Sequence, residues 1–196
     1  MRYSPEQKQH SRAKLVDAGA QLAKKQGFNN TGMDALLAAA GMTTGAFYSQ
    51  FKTKPELLHA IVQHELEKTL VLFEDKSADE LLQALRFYLS RSHILHPEQG
   101  CAIPSLGAEI ARADQATKET FSAALQRIQH AIEAVLDDAD AAWAMICQAV
   151  GAVVVARAMA TPVQRDQVLG AVYQHAQKVF EAHLRTEDDA APPSAS

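Results

Sequence analysis

The sequence predicts an all-α protein of about nine helices, the first three forming a helix-turn-helix domain. Three observations predict it. Apolar residues recur at three- and four-residue spacing from Leu15 to Phe180, and no run alternates as a strand would. Residues that cap or stop helices punctuate that pattern: Gly27, Gly41, Thr43, Ser77 with Glu80, and Thr161-Pro162. Finally, 47% apolar content with only 6% aromatic residues implies a core built mainly from Ala, Leu, Val and Ile, as packed helices allow.

Met1 to His10 has no apolar period and reads as a polar arm, mobile or lying along a nucleic-acid backbone. From about Ser11 to Gln26, Leu15, Ala18, Leu22 and Ala23 make one stripe, and Gly27 before Phe28 predicts a helix stop with an apolar contact behind it. Thr31 is expected to cap the second helix, with Asp34 favouring its positive end. Met33, Leu36, Leu37 and Ala40 follow at helical spacing, and Gly41 supplies a left-handed stop. Thr43 caps the third helix, where Phe47 and Phe51 share a face and leave small polar groups elsewhere.

Pro55 suits the first turn of a fourth helix, whose stripe of Leu58, Ile61, Val62, Leu66, Leu70 and Phe73 runs about five turns. The Ser77–Glu80 capping box starts a fifth helix, continuing to about His93. Pro97 and Gly100 break the pattern, and a shorter helix covers Pro104 to Arg112. Phe121, Leu125, Ile128, Ile132 and Val135 define a seventh, ending near Leu136. The eighth is Ala-rich, from about Asp140 to Met159, and the ninth carries Val168, Val172, Val179 and Phe180 to about Leu184. Residues 186–196 read as a disordered tail.

Two short helices joined by a Gly-containing turn describe either an ordinary hairpin of an α-bundle or a helix-turn-helix, whose second helix enters a DNA major groove. Charge distribution favours the helix-turn-helix. The whole chain carries −4, but residues 1–55 hold eight Lys or Arg against three Asp or Glu, while the remainder holds eleven against twenty. A basic first quarter on an acidic body is expected if one end approaches phosphate.

The run GMTTGAFYSQFKTK, from Gly41 to Lys54, resembles the recognition-helix signature of the TetR family of transcriptional regulators, and LVDAGAQLAKKQGFNNTGMDALLAAAG resembles that family's first two helices. The resemblance covers roughly residues 10 to 60. It implies a DNA-binding domain over residues 1–54 and an effector-binding and dimerisation domain over 55–185. Thr44, Gly45, Ala46 and Ser49 form the expected base-facing set. None has the two-pronged head that reads guanine or adenine, so thymine methyls and DNA shape carry more of the specificity. Tyr48 and Lys54 match family positions that contact phosphate, with Thr31, Thr43, Gln50 and Lys52 as expected neighbours. Gly45-Ala46 and Gln50 depart from commoner family usage.

Small residues at Ala149, Gly151 and Ala152 allow close helix approach, so the last two helices are expected to form half of an intersubunit four-helix bundle in a homodimer. Such a dimer would read a roughly palindromic operator on double-stranded DNA. By resemblance, a small-molecule effector binds each subunit between the long helices. Phe87, Tyr88, Phe121, Trp143, Met145 and Met159 are the side chains able to form an adaptable apolar pocket, though each is more often simply core. Cys101, at a Gly-Cys junction ahead of a helix, is the candidate thiol sensor, whereas Cys147 reads as a small buried residue.

Other classes have less support. The Glu56-x-x-His59 spacing of a di-iron helix lacks a second copy, and His93 with His96 lacks a completing ligand, so no metal or cofactor is expected. No nucleophile elbow supports an acyl-transfer enzyme. A helical adaptor without DNA would explain the bundle but not the basic first quarter. Ala141 to Ala160 is nearly long enough to span a bilayer, but Gln148, Arg157 and eight Ala make it an interface helix, with no membrane. MRYSPEQKQHSRAK has no apolar secretory core, so a cytoplasmic protein is expected.

Overall fold

The computed structural model describes residues 5–190, with side chains from residue 6 to residue 182. Among these residues there is no strand. Ten α-helices succeed one another: α1 (Pro5–Gln26), α2 (Met33–Ala40), α3 (Thr44–Tyr48), α4 (Lys54–Leu70), α5 (Ala78–Tyr88), α6 (Arg91–Leu95), α7 (Ile103–Ile110), α8 (Gln115–Leu136), α9 (Ala139–Ala158) and α10 (Pro162–Ala190). A 3₁₀ turn at Pro97–Gln99 separates α6 from α7.

Two compact units share the chain, and each draws on two stretches of it. The first comprises residues up to Leu72 together with Leu95–Arg127; the second comprises Phe73–Ile94 and residues from Ile128 onward. In the first unit, Leu15, Phe28, Leu36, Phe47, Phe51, Leu57, Ile61 and Leu106 belong to one buried cluster. The stripes of α1, α2 and α4 thus meet each other and α7. In the second unit α10 packs along α9 and also meets α5. Here α9 buries Ala142, Ala149, Ala152, Val153 and Ala156, small side chains that admit a close neighbour.

The helix stops at Gly27 and Gly41 have φ of 85° and 62°, the left-handed conformation that favours glycine. Ser77 and Glu80 make both arms of the capping box. Hydrogen bonds from Ser77, its backbone N–H first and its side chain second, hold the Glu80 carboxyl below the usual carboxylate range.

Several expectations need correction. Residues 5–10 of the expected arm are the opening turns of α1, because a polar segment lacking an apolar period can still continue a helix whose later turns are packed; residues 1–4 lie outside the described residues. At the other end, residues 186–190 of the expected tail are helical, and 191–196 lie outside the described residues. α4 stops at Leu70, short of Phe73. The expected fifth helix divides at Leu89, with ψ of 36°, which raises the count to ten. The break is stabilised locally: Ser90 Oγ accepts the His93 N–H, and the buried His93 ring lies with Nδ1 2.6 Å from the Tyr88 carbonyl oxygen. His93 and His96 therefore do not act as a pair, since His96 lies 3.5 Å from Glu98. Cys147 is exposed on α9 rather than buried.

Candidate nucleic-acid interface

α3, the expected reading element, is short, and its start is set by local chemistry. Thr43 is the N-cap of α3, with Oγ1 accepting the Ala46 N–H at 3.3 Å. Phe47 is fully buried and Phe51 nearly so, their ring centroids 5.8 Å apart. Burying that face leaves Thr43, Thr44, Gly45 and Ser49 exposed and Ala46 half-buried. A Cβ at Gly45 would meet nothing within 4 Å, so the surface there is open to a groove. Ser49 Oγ donates to the Ala46 carbonyl at 2.7 Å and accepts from Gln50 Nε2 at 3.3 Å.

The expected phosphate residues differ in setting. Tyr48 is 57% exposed, packed edge-on against Phe47. Gln50 is half-buried and Lys52 exposed, the Lys52 backbone N–H donating to Glu56. Lys54 opens α4 behind its N-cap Thr53, and its ammonium donates to the Phe28 carbonyl at 2.8 Å while lying 4.7 Å from the Phe28 ring centroid. Thr31 is a correction. It neither caps α2, whose N-cap is Gly32, nor faces outward. Its side chain is completely buried, with Oγ1 donating to the Gly27 carbonyl at 2.7 Å and accepting from Gln26. No Thr31 donor is directed at solvent, so it leaves the phosphate set.

Three contributors were missed. Arg12 on α1 stacks 4.2 Å from the Phe51 ring centroid and donates to the Gln50 carbonyl, fixing the end of α3. Lys24 and Glu65 form a 2.6 Å ion pair, their side chains 4% and 5% exposed, and Lys24 also donates to the Gly100 carbonyl. Glu109 on α7 accepts two consecutive backbone N–H groups, from Phe28 at 2.9 Å and Asn29 at 2.7 Å. The only sequence signal for the buried pair was a lysine and a glutamate lying on otherwise apolar stripes.

Residues 15–61, the span holding this interface, match the bacterial regulatory proteins of the tetR family. Over those residues the chain is similar to that family's DNA-binding helices. Solved structures agree at the level of fold. NemR of E. coli in its reduced form is 18% identical, with a TM-score of 0.70 over 86% of this chain and 96% of that one. A TetR transcriptional regulator from Chloroflexus aurantiacus is 23% identical, with a TM-score of 0.72 over 90% and 96%. Salmonella enterica GusR is 17% identical, with a TM-score of 0.63 over 88% and 96%. No curated protein matches the chain.

The expected effector residues are divided between the two units. Cys101 and Phe121 belong to the first; Phe87, Tyr88, Trp143, Met145 and Met159 belong to the second. Tyr88 and Met145 are buried, Phe121, Trp143 and Met159 half-buried, and Phe87 is 67% exposed, which makes it a surface residue of the subunit. Cys101 is half-buried, with its Sγ 3.4 Å from the Ile103 N–H and 3.8 Å from Thr69 Oγ1. A cavity of about 280 Å³ in the first unit is polar, lined by Asp17, Lys24, Glu65 and Lys68 among others. Glu56 and His59, the metal candidates, are occupied with Lys52 and with Thr117 Oγ1, the latter at 3.4 Å. α9 is long and apolar enough to cross a membrane by composition.

Proposed function

We propose that this chain is a TetR-family regulator and a one-component repressor, a homodimer that occupies a roughly palindromic operator and is released by a small molecule or by modification of a thiol. The observation that carries the reading is α3: its apolar face is buried and its opposite face presents Thr44, Gly45, Ala46 and Ser49 with no bulky side chain between backbone and groove. A single helix of this size makes few base contacts. Two copies in successive major grooves, about 34 to 36 Å apart per turn or a multiple of it, make enough.

The dimer forms through α9 and α10. Val154, Val155 and Val163 on these helices are exposed in the subunit and supply apolar surface for a partner copy. Tyr48, Thr43, Gln50, Lys52 and Lys54 take the phosphates, and residues 55–185 carry the effector site and the dimer contacts. The effector is bound by the apolar residues of the second unit, or it modifies Cys101. The thiol reading is supported by the Ile103 N–H directed at Sγ and by the neighbouring Gly100 carbonyl, which Lys24 of α1 holds at 2.9 Å. An adduct at Cys101 would strain that link and favour a conformation whose recognition helices no longer match the grooves, by as much as the effector's differential affinity for the two states.

A gel-shift titration of the purified protein on the DNA flanking its own gene tests the reading. Competitor-resistant binding to a two-fold sequence is expected. Alkylation at Cys101, verified by intact mass, is expected to weaken it; unchanged affinity after complete alkylation would remove the thiol mechanism.

A further inference from the structure

The turn between α1 and α2 is gripped from both sides by charge. Its N–H groups at Phe28 and Asn29 go to the two carboxylate oxygens of Glu109, at 2.9 and 2.7 Å. Its carbonyls at Phe28 and Asn29 go to the Lys54 ammonium, at 2.8 and 3.5 Å. The Phe28–Asn29 peptide lies between these charges, its N–H on the carboxylate and its C=O on the ammonium, so each of these two bonds strengthens the other. An ammonium has three donors, and two carbonyls leave one for a phosphate oxygen.

We infer that Glu109 is a positioning residue for DNA binding, which fixes the Lys54 ammonium for phosphate by holding the Phe28–Asn29 peptides from their opposite side. The inference rests on the reading of Lys54 as a phosphate contact. Asn29 is exposed, so water would satisfy its N–H if α7 were absent; that bond to the carboxylate serves placement and not satisfaction. Gly27, at φ of 85°, turns the chain so that two consecutive N–H groups converge on one carboxylate. Glu109 lies 81 residues beyond Phe28, so this grip makes phosphate contact depend on where α7 stands.

The test is a double-mutant cycle on the full chain with Lys54→Ala, Glu109→Gln and both together. Affinity is read by fluorescence anisotropy over a salt series, on a duplex recovered by random-site selection and on one of random sequence. Gln keeps the shape of Glu109 but offers one acceptor and presents a donor to the second N–H. Lys54→Ala should lose roughly tenfold in affinity, the worth of one charge-assisted bond. Its salt slope should fall by about one per subunit. Glu109→Gln should lose several-fold with the slope reduced in the same direction, and the double variant should bind no more weakly than Lys54→Ala. If Glu109→Gln fails to fold, Glu109→Asp, one methylene short of both N–H groups, enters the same cycle.

Unchanged binding by the Glu109 variant overturns the inference. So do losses that multiply in the double variant, because a general structural defect would weaken binding with or without Lys54. Unchanged binding by Lys54→Ala beside a binding wild type overturns it too, while leaving the regulator reading intact. A wild-type chain that binds neither duplex contradicts the regulator reading itself.

Discussion

The two turns of the helix-turn-helix domain are entered through left-handed glycines, yet they are held in different ways. At the turn before α3, the Gly41 and Met42 N–H groups return to Ala38 and Leu37, and Thr43 caps α3 itself, so every bond is made within a few residues. At the turn before α2, local bonds such as Thr31 N–H to the Phe28 carbonyl are joined by Lys54 and Glu109, 26 and 81 residues from Phe28. The reading turn is self-contained; the other is specified from a distance. A self-contained turn presents the same face to DNA whatever the rest of the chain does, whereas a remotely held one gives the rest of the chain a grip on the domain.

The largest expected effects break one kind of support at a time. Phe47→Ala empties the fully buried position behind α3 and should cost about 3–5 kcal/mol of stability by urea unfolding. Lys24→Ala, which leaves the buried Glu65 carboxylate to the exposed Lys68 at 3.3 Å, should cost up to about 3 kcal/mol, whereas Lys24→Met with Glu65→Leu should recover most of it. If the double replacement is no better than the single, the pair serves a purpose other than mutual compensation. Gly41→Ala should cost about 1–2 kcal/mol, because an L side chain is strained at φ of 62°. Gly45→Ala sharpens the contrast: its Cβ meets nothing, so stability should hold or rise by up to about 1 kcal/mol while DNA affinity changes.

The smallest effect tests a cap outside both turns. The folded-state pKa of Glu80 is lowered, so its contribution is present above the ordinary carboxylate range and lost as pH falls through the lowered value. Ser77→Ala removes the side-chain bond and leaves the backbone one. A slightly shallower acid limb in thermal stability against pH is the expected outcome, and an unchanged limb would assign the shift to the backbone alone.

The same contrast explains what the sequence made legible. Gly27, Gly41, Thr43 and the Ser77–Glu80 box act on near neighbours, and periodicity placed Phe47 and Phe51 in the core, so fold class and recognition helix were readable. Thr31 was misassigned because a threonine before a helix looks like a cap, whether its hydroxyl faces forward to α2 or back to Gly27. Lys24 with Glu65 and Glu109 with Phe28 are 41 and 81 residues apart, and such pairings leave no periodic trace. The break at Leu89 depends on a buried histidine ring finding a carbonyl, which spacing alone does not reveal. The expected effector residues were chosen by type, and side-chain type does not say which unit a residue joins.

The most direct test of the central claim is random-site selection with the purified full-length chain. The account predicts enrichment of a two-fold sequence with half-sites one helical turn or a multiple of it apart, with base preferences that change when Thr44 or Ala46 is replaced. Selection that enriches no sequence over the starting pool would contradict it and favour a helical interaction module over a regulator.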